Sequence, residues 1–501
     1  MKVNPTIPSI TPSFSENMAK VSVLIPSRNE KYLTKTVDGI FAKATGNIEV
    51  IIVLEGPTSY RLPHKRKNLI LIQKPQAEGL RKAINDAAKK ATGKYLLKTD
   101  AHCAFNRGFD EILKKDCEDN WVVIPRRFGM DPKTPALWKR QLFFQADYYL
   151  TCPWTNNAGL NTTLWNERAE KRRAISIDET MSTHGSVWFM PKDYYFDGLQ
   201  GLDTENFGYW GENEEIAVKA WLGGGRVMVN KNTWYAHLQM RTNNKAQRQK
   251  DREAVESHKL MANYWTKNLW RKRIHDFDWL IDKFWPLPTQ NNHYYKDKYF
   301  WPENWRDYYE IYKNATELCE LALTYGSDKC PQIKHHYTPV YFDLFGKRRK
   351  TVKKVLEIGV GDLVHMPDSP NYKVGGSLYM WQDFFPNAQI YGADILPELV
   401  FEVGRIKTLK CDQSKKEDLE KLIEQTGRDI DLFIDDASRR PEGQVFTCLT
   451  LMPLLKKEVT YVIEDVVDLG IMEKLNRYNC QYTRFRNKSS WDDRLIVVRN
   501  K

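Results

Sequence analysis

No apolar run in the 501 residues approaches the roughly 20 needed to cross a bilayer. The best stretches, Val21–Pro26 and Ile48–Leu54, have the length of strands. The opening MKVNPTIPSITPSFSENMAK is polar and Pro/Ser-rich, without the apolar core of a signal peptide, so a cytoplasmic protein with no membrane span is expected. The eight cysteines include no CxxC, which excludes a zinc ribbon, argues against a disulfide scaffold and points to a reducing compartment. Repeats and low-complexity tracts are also missing. What remains is a globular composition, 42% hydrophobic and 28% charged, which excludes disordered and fibrous classes. Lys and Arg outnumber Asp and Glu by 76 to 64, and the resulting +12 favours anionic partners such as nucleotide sugars, phosphates or nucleic acid. The length is about three times a 150-residue domain, so two or three domains are expected.

The pattern along the chain divides it into a tail (1–19), an α/β domain (20–240), a basic and aromatic connector (241–317) and a second α/β domain (318–501). In the first domain short apolar runs (VSVLIP, IEVIIVLEG, NLILIQ, KYLLKTD) alternate with amphipathic stretches such as TKTVDGIFAKAT and GLRKAINDAAKKA. That alternation is the signature of βαβ units on a largely parallel sheet. A second series begins at VKKVLEIGVGD and continues through AQIYGADI, IKTLKCD, DIDLFIDDAS and VTYVIEDV. For the connector (NYWTKNLW, FDWLIDKFWPLP, HYYKDKYFWPENWRDYYEIY) two readings stand: aromatic packing at a domain junction, or a stacking platform for bases or sugars.

The chemistry of the first domain centres on KYLLKTDAHC. A buried strand ends at Asp100-Ala101-His102, so a carboxylate and an imidazole emerge together at the strand's C-terminal edge, where ligands of open α/β sheets bind. Such a pair suits Mn²⁺ or Mg²⁺ bridging a diphosphate, whose departing charge the ion would offset. The ordered set VSVLIPSRNE, IEVIIVLEG, AEGLRKA, DAHC, HGSVWFMPKDYY, GYWGENEE and WYAHL resembles family 2-type glycosyltransferases of the GT-A fold, and is most similar to the polypeptide N-acetylgalactosaminyltransferases. The resemblance implies Asp100, His102 and His237 as metal ligands, and a nucleotide-sugar donor, UDP-linked by preference. It implies that Glu55 and Arg81, with Asp100, bind the donor; the chain has LEG where that group usually carries Asp-Asp. Glu212 and Asn213 of WGEN fall where the family orients donor sugar and acceptor, with an acid there serving inverting members as general base. The residue pattern also allows Glu212 to be a carboxylate favoured by a helix N-terminus.

In the second domain, VLEIGVGD is a strand ending in a Gly turn, and Asp394 and Asp412 end the next strands. Asp435-Asp436 and Glu464-Asp465 close two further strands, and four neighbouring carboxylates repel unless they hold a divalent cation. With TYGSDKCPQIKHHYTPVYFDLF and GGSLYMWQDFFPNAQIYGADI, this set resembles class I S-adenosylmethionine-dependent methyltransferases, in particular the metal-dependent sugar O-methyltransferases of macrolide biosynthesis. That resemblance implies S-adenosylmethionine held by Glu357, Gly359, Gly361, Gly376, Ser377, Asp394 and Asp412. It implies Mg²⁺ held by Asp436, Glu464 and Asp465. Where the family carries a His as general base, DDASRR places Arg439, which does not accept a proton at neutral pH; His335 or His336 is the substitute to examine.

The expected class is therefore α/β throughout: a GT-A domain, an aromatic helical connector and a Rossmann-like methyltransferase domain. The leading functional expectation is a bifunctional enzyme that transfers a sugar and O-methylates a sugar hydroxyl. The competing ones are a single-activity glycosyltransferase with a recognition domain, and a nucleic-acid-binding or DNA-decorating protein. The acceptor (glycan, protein, small molecule or modified DNA) is not legible.

Overall fold

Two compact units, residues 1–309 and 310–501, make up the protein in a computed structural model. It describes residues 19–130, 140–141, 147–154, 159–238, 245–289, 300–362, 372–484 and 494–501. The tail, part of the aromatic connector (290–299) and most of the DLVHMPDSPNYKV insertion lie outside the described residues. Among the described residues no helix is long and apolar enough to cross a membrane.

The strands of the first unit are β1 (Val21–Ser27), β2 (Ile48–Glu55), β3 (Leu69–Lys74), β4 (Tyr95–Thr99), β5 (Cys103–Phe105), β6 (Trp121–Met130), β7 (Arg140–Gln141), β8 (Asp147–Leu150), β9 (Thr162–Trp165), β10 (Ile177–Glu179), β11 (Val187–Pro191) and β12 (Arg226–His237). They form a ten-stranded sheet in the order β10-β12-β6-β11-β4-β1-β2-β3, with β5 on β12 and β7 on β6, while β8 and β9 pair apart. β1, β2 and β4 are buried along their whole length, which is why they read as unbroken apolar runs. Their parallel register (Leu24 beside Ile51 and Lys98) brings their C-terminal ends to one edge. Helix Leu80–Lys90 turns Ala83, Ile84, Ala87 and Ala88 to the interior at helical spacing. The aromatics after 260 pack within this unit: Trp265, Trp270, Trp301, Trp305 and Tyr309 are buried, and Trp301 donates through Nε1 to the Leu150 carbonyl at 2.6 Å. For these rings the packing reading holds, and the burial leaves them no stacking platform.

The second unit carries β13 (Lys354–Ile358), β14 (Gln389–Asp394), β15 (Glu402–Val403), β16 (Ile406–Lys410), β17 (Leu432–Asp435), β18 (Thr460–Ile463), β19 (Asn479–Arg484) and β20 (Arg494–Arg499). Their order is β15-β16-β14-β13-β17-β18-β20-β19, parallel from β16 to β18 and antiparallel at both ends. Gly359 follows β13 at φ +100°, and a Cβ there would lie 2.4 Å from the Asp436 carbonyl oxygen. Only glycine lets this turn close against the end of β17.

Candidate active sites

In the first unit two long-range pairings complete what β4 begins. β12 pairs antiparallel with β5, setting His237 beside Cys103, and the Leu238 N–H donates to the His102 carbonyl at 3.1 Å. His237 thereby reaches the DxH turn from more than a hundred residues away. His102 Nε2 and His237 Nε2 lie 3.1 Å apart, and His237 Nε2 is 3.3 Å from Asp100 Oδ2. Among the described residues this is the one group of three such side chains whose ligand atoms all fall within 4.8 Å. Two imidazoles and a carboxylate on one point fit a divalent ion such as Mn²⁺.

The electrostatics agree with that use. Burial disfavours the Asp100 charge, but the Lys98 ammonium and both imidazoles outweigh it and hold the carboxyl well below its usual range. Burial lowers His237 to about 4, so it is neutral and its ring nitrogen is available as a ligand. For His102 burial is overcome by Glu30, 3.4 Å from Nδ1, and by Asp100, so its pKa is raised. Glu30 follows β1 on the same sheet edge and orients the ring from behind.

Lys98 is the site residue that the sequence reading missed. Its ammonium, buried in β4, lies 2.7 Å from Asp100 Oδ1 and 3.8 Å from Glu212 Oε1, and donates to the Gly185 carbonyl. A lysine inside an apolar strand is the signal that a buried counter-charge exists, though the sequence does not say which. Glu212 opens helix Glu212–Leu222 and is itself buried, and burial raises its pKa against the pull of Lys98 and Arg81. Gly185 permits the approach, since a Cβ there would lie 2.6 Å from Glu212 Oε1. Asn213 Nδ2 donates to Thr162 Oγ1 at 3.2 Å and to the Thr183 carbonyl at 2.9 Å, fixing the loop before β11.

The expected donor contacts fare differently. Glu55 ends β2 and accepts the Glu78 and Gly79 N–H groups, both at 2.8 Å, so it caps the helix that EGLRKA begins. Arg81, expected to face the nucleotide, is turned inward and 3% exposed. Its guanidinium is taken by Glu215 and by the carbonyls of Gly208 (3.0 Å) and Trp210 (2.8 Å). The physical reason is the buried Glu215 carboxylate, which needs a cation, and the outcome is that Arg81 fixes the WGEN segment.

The second unit encloses a cavity of about 1230 Å³, larger than the ordinary range for one small ligand. Gly359, Gly361, Ser377, Asp394 and Asp412 line it as expected for a cofactor site. Asp394 already accepts the Val360 N–H (2.9 Å) and the Leu396 N–H (3.1 Å), which shapes the turn after β13. Glu357 is the correction. It lies outside the cavity lining, fully buried, accepting from Ser377 Oγ at 2.8 Å and Trp381 Nε1 at 2.5 Å. A carboxylate at 0% exposure must be satisfied internally, and this one is spent tying the strand to the helix behind it. Gly376 is likewise off the wall, backed against the Tyr325 carbonyl.

Asp436, Glu464 and Asp465 share a wall of the same cavity. They do not gather into one three-ligand group. Lys329 places its ammonium against Asp436 Oδ2 (2.5 Å) and Glu464, with Glu357 at 3.4 Å. Asp465 is held by the Tyr337 hydroxyl (2.8 Å) and Arg439 Nε (2.9 Å). Lys329 lies in SDKC, a segment read only for its resemblance. Four carboxylates (Glu357, Asp436, Glu464, Asp465) thus face two cations. Burial and mutual repulsion push Asp436 up to about 7 and Glu464 well above its usual range. The donor set fits a divalent cation in charge, which would offset the excess. His335 also lines the cavity, stacked on Tyr337, with Nε2 3.5 Å from Asp465 Oδ1; His336 is not on the wall.

Comparisons with known proteins separate along the same division. The family described as "Glycosyl transferase family 2" matches residues 22–191. A 150-residue stretch is 35% identical to the 8-demethyl-8-(2-methoxy-alpha-L-rhamnosyl)-tetracenomycin-C 3'-O-methyltransferase of Streptomyces olivaceus, covering 30% of this chain and 37% of that protein. Another, of 267 residues, is 26% identical to the probable N-acetylgalactosaminyltransferase 7 of Caenorhabditis elegans, covering 46% of this chain and 41% of that protein. The chain therefore spans about two fifths of the length of each relative. Among solved structures, the MycE methyltransferase of mycinamycin biosynthesis, in complex with Mg, SAH and mycinamycin VI, matches with TM-score 0.31 and 28% identity, over 37% of this chain and 54% of that one.

Proposed function

We propose, from a chain whose residues 22–191 form a family 2 glycosyltransferase domain and whose second unit is similar to sugar O-methyltransferases, that the protein transfers a sugar from a UDP-sugar to an acceptor hydroxyl and methylates a sugar hydroxyl. The observation that carries the transferase reading is the convergence of Asp100, His102 and His237 beside Glu212. Those three would hold a divalent cation, which supplies positive charge to the departing nucleotide diphosphate. Lys98 ties Asp100 Oδ1 and leaves Oδ2 turned to the two imidazoles. Glu55 holds the loop that borders the nucleotide. Glu212, buried and raised in pKa, accepts the acceptor hydroxyl's proton at its carboxylate as that oxygen attacks.

In the second unit the wall of Gly359, Gly361, Ser377, Asp394 and Asp412 would take S-adenosylmethionine, whose sulfonium supplies the methyl group. Asp436, Glu464 and Asp465 would hold Mg²⁺. Arg439 orients Asp465 and takes no proton; His335 Nε2, beside Asp465, receives the proton of the sugar hydroxyl. Arg439 also favours a second reading, a single-activity glycosyltransferase whose second unit recognises its product. Labelled methyl transfer from S-adenosylmethionine to the glycosylated product separates the two. Incorporation lost in His335→Ala supports methylation, and no incorporation by the wild type leaves the recognition reading.

A further inference from the structure

Three imidazoles, not two, stand at the edge of the first unit's sheet. The third, His184, belongs to the short loop that enters β11. That loop is pinned from both sides. The Asp100 N–H donates to the Ser186 carbonyl at 2.9 Å, and Lys98 donates to the Gly185 carbonyl. From the other side Asn213 holds the Thr183 carbonyl at 2.9 Å, and Glu212 Oε1 would lie 2.6 Å from a Cβ on residue 185. The His184 ring is therefore fixed between the metal-ligand group and Glu212, 5.4 Å from the His237 ring and 5.8 Å from Tyr148.

Its two nitrogens differ. Nδ1 faces Ser186, with Oγ at 2.9 Å and the Ser186 N–H donating at 3.4 Å. A nitrogen that receives a backbone N–H is the unprotonated one, so the bond network assigns the ring proton to Nε2. Burial, with Arg127 and His237 nearby, keeps the ring neutral. Among the described residues Nε2 meets no partner, and it is not among the buried polar atoms left without one, so it opens to solvent on the site side.

We infer that His184 is a recognition residue for the transferred sugar, donating from Nε2 to a sugar oxygen of the nucleotide-sugar donor. The inference rests on the donor reading above. A neutral donor placed toward Glu212 suits a hydroxyl or carbonyl oxygen of the sugar, while the diphosphate belongs to the metal-ligand side. Because Nδ1 is occupied by Ser186, the ring cannot turn to use its other nitrogen without losing that contact.

The test uses the full chain with Mn²⁺ and compares UDP-N-acetylglucosamine with UDP by calorimetric titration. In His184→Asn, whose amide reaches only the Nδ1 position, the nucleotide sugar should bind about 3- to 10-fold more weakly, the worth of one neutral hydrogen bond. UDP should bind as to the wild type. His184→Gln places an amide nitrogen near Nε2 and should keep the wild-type ratio of the two affinities, which a merely structural role for His184 would not predict. Equal weakening of UDP and UDP-N-acetylglucosamine, or no change in His184→Asn, overturns the sugar contact alone. A wild type that binds neither ligand overturns the UDP-sugar reading and this inference with it.

Discussion

Replacing Lys98 by Met removes the one cation between two buried acids. The ammonium is 3.8 Å from Glu212 Oε1, and at an effective dielectric constant of about 20 that pair alone is worth about 4 kcal/mol, with Asp100 nearer still at 2.7 Å. Breaking a buried pair costs about 3–5 kcal/mol, because a charge is left without its partner. In a unit of this size each kcal/mol moves the midpoint by about 2–4 °C, so Lys98→Met should melt about 10 °C below the wild type near neutral pH in chelator. Two further features identify the cause. Added Mn²⁺ should stabilise the variant more than the wild type, since it returns positive charge to Asp100. The gap should also narrow in acid, where the stranded carboxyls take up protons. Differential scanning calorimetry reads all three, with the first unit's transition marked by its response to Mn²⁺. Equal midpoints for variant and wild type in chelator would refute the assignment of Lys98 as the site's counter-charge.

Other perturbations follow from the titrating groups. His102 has a raised pKa and must lose its proton to bind a metal, so Mn²⁺ affinity should fall about tenfold per pH unit below that pKa, with proton release on binding. Titration calorimetry in buffers of different ionisation enthalpy checks this, and a pH-independent affinity contradicts it. In the second unit Asp435 is buried at the end of β17, and burial lifts it to about 7 despite the Tyr461 hydroxyl and Gln413. Its unfolded pKa is about 3.9, so between about pH 4 and 7 the folded state keeps a proton that the unfolded state releases, and stability falls as pH rises. Asp435→Asn should match the wild type near pH 4 and exceed it above pH 7 by up to about 4 kcal/mol in urea unfolding of the second unit. Stability curves parallel in pH would count against it.

The fold was readable because both sheets are built largely from parallel strands buried on both faces, which leave unbroken apolar runs, and because site residues leave such strands at their C-terminal ends. Asp100, His102, Asp394 and Asp412 all announce themselves in this way. His237 was reached only through resemblance, since its place depends on the β5–β12 pairing. Lys98, His184 and Lys329 were missed because each takes its meaning from partners distant in sequence: Glu212 for Lys98, the Ser186 and Asn213 contacts for the His184 loop, Asp436 and Glu464 for Lys329. Arg81 and Glu357 sit on the motifs where ligands were expected, yet their side chains turn inward to buried partners. Side-chain direction at a helix start or strand end is a packing outcome, and periodicity does not encode it.

The central claim is that Asp100, His102 and His237 form the metal-dependent donor site of a glycosyltransferase. Nucleotide-sugar hydrolysis with Mn²⁺, screened over UDP- and GDP-linked sugars, tests it on the wild type and on Asp100→Ala/His102→Ala. The account predicts Mn²⁺-dependent release of UDP by the wild type, abolished by chelator and in the double variant. No nucleotide release with any donor, or release that the double variant retains, would contradict it.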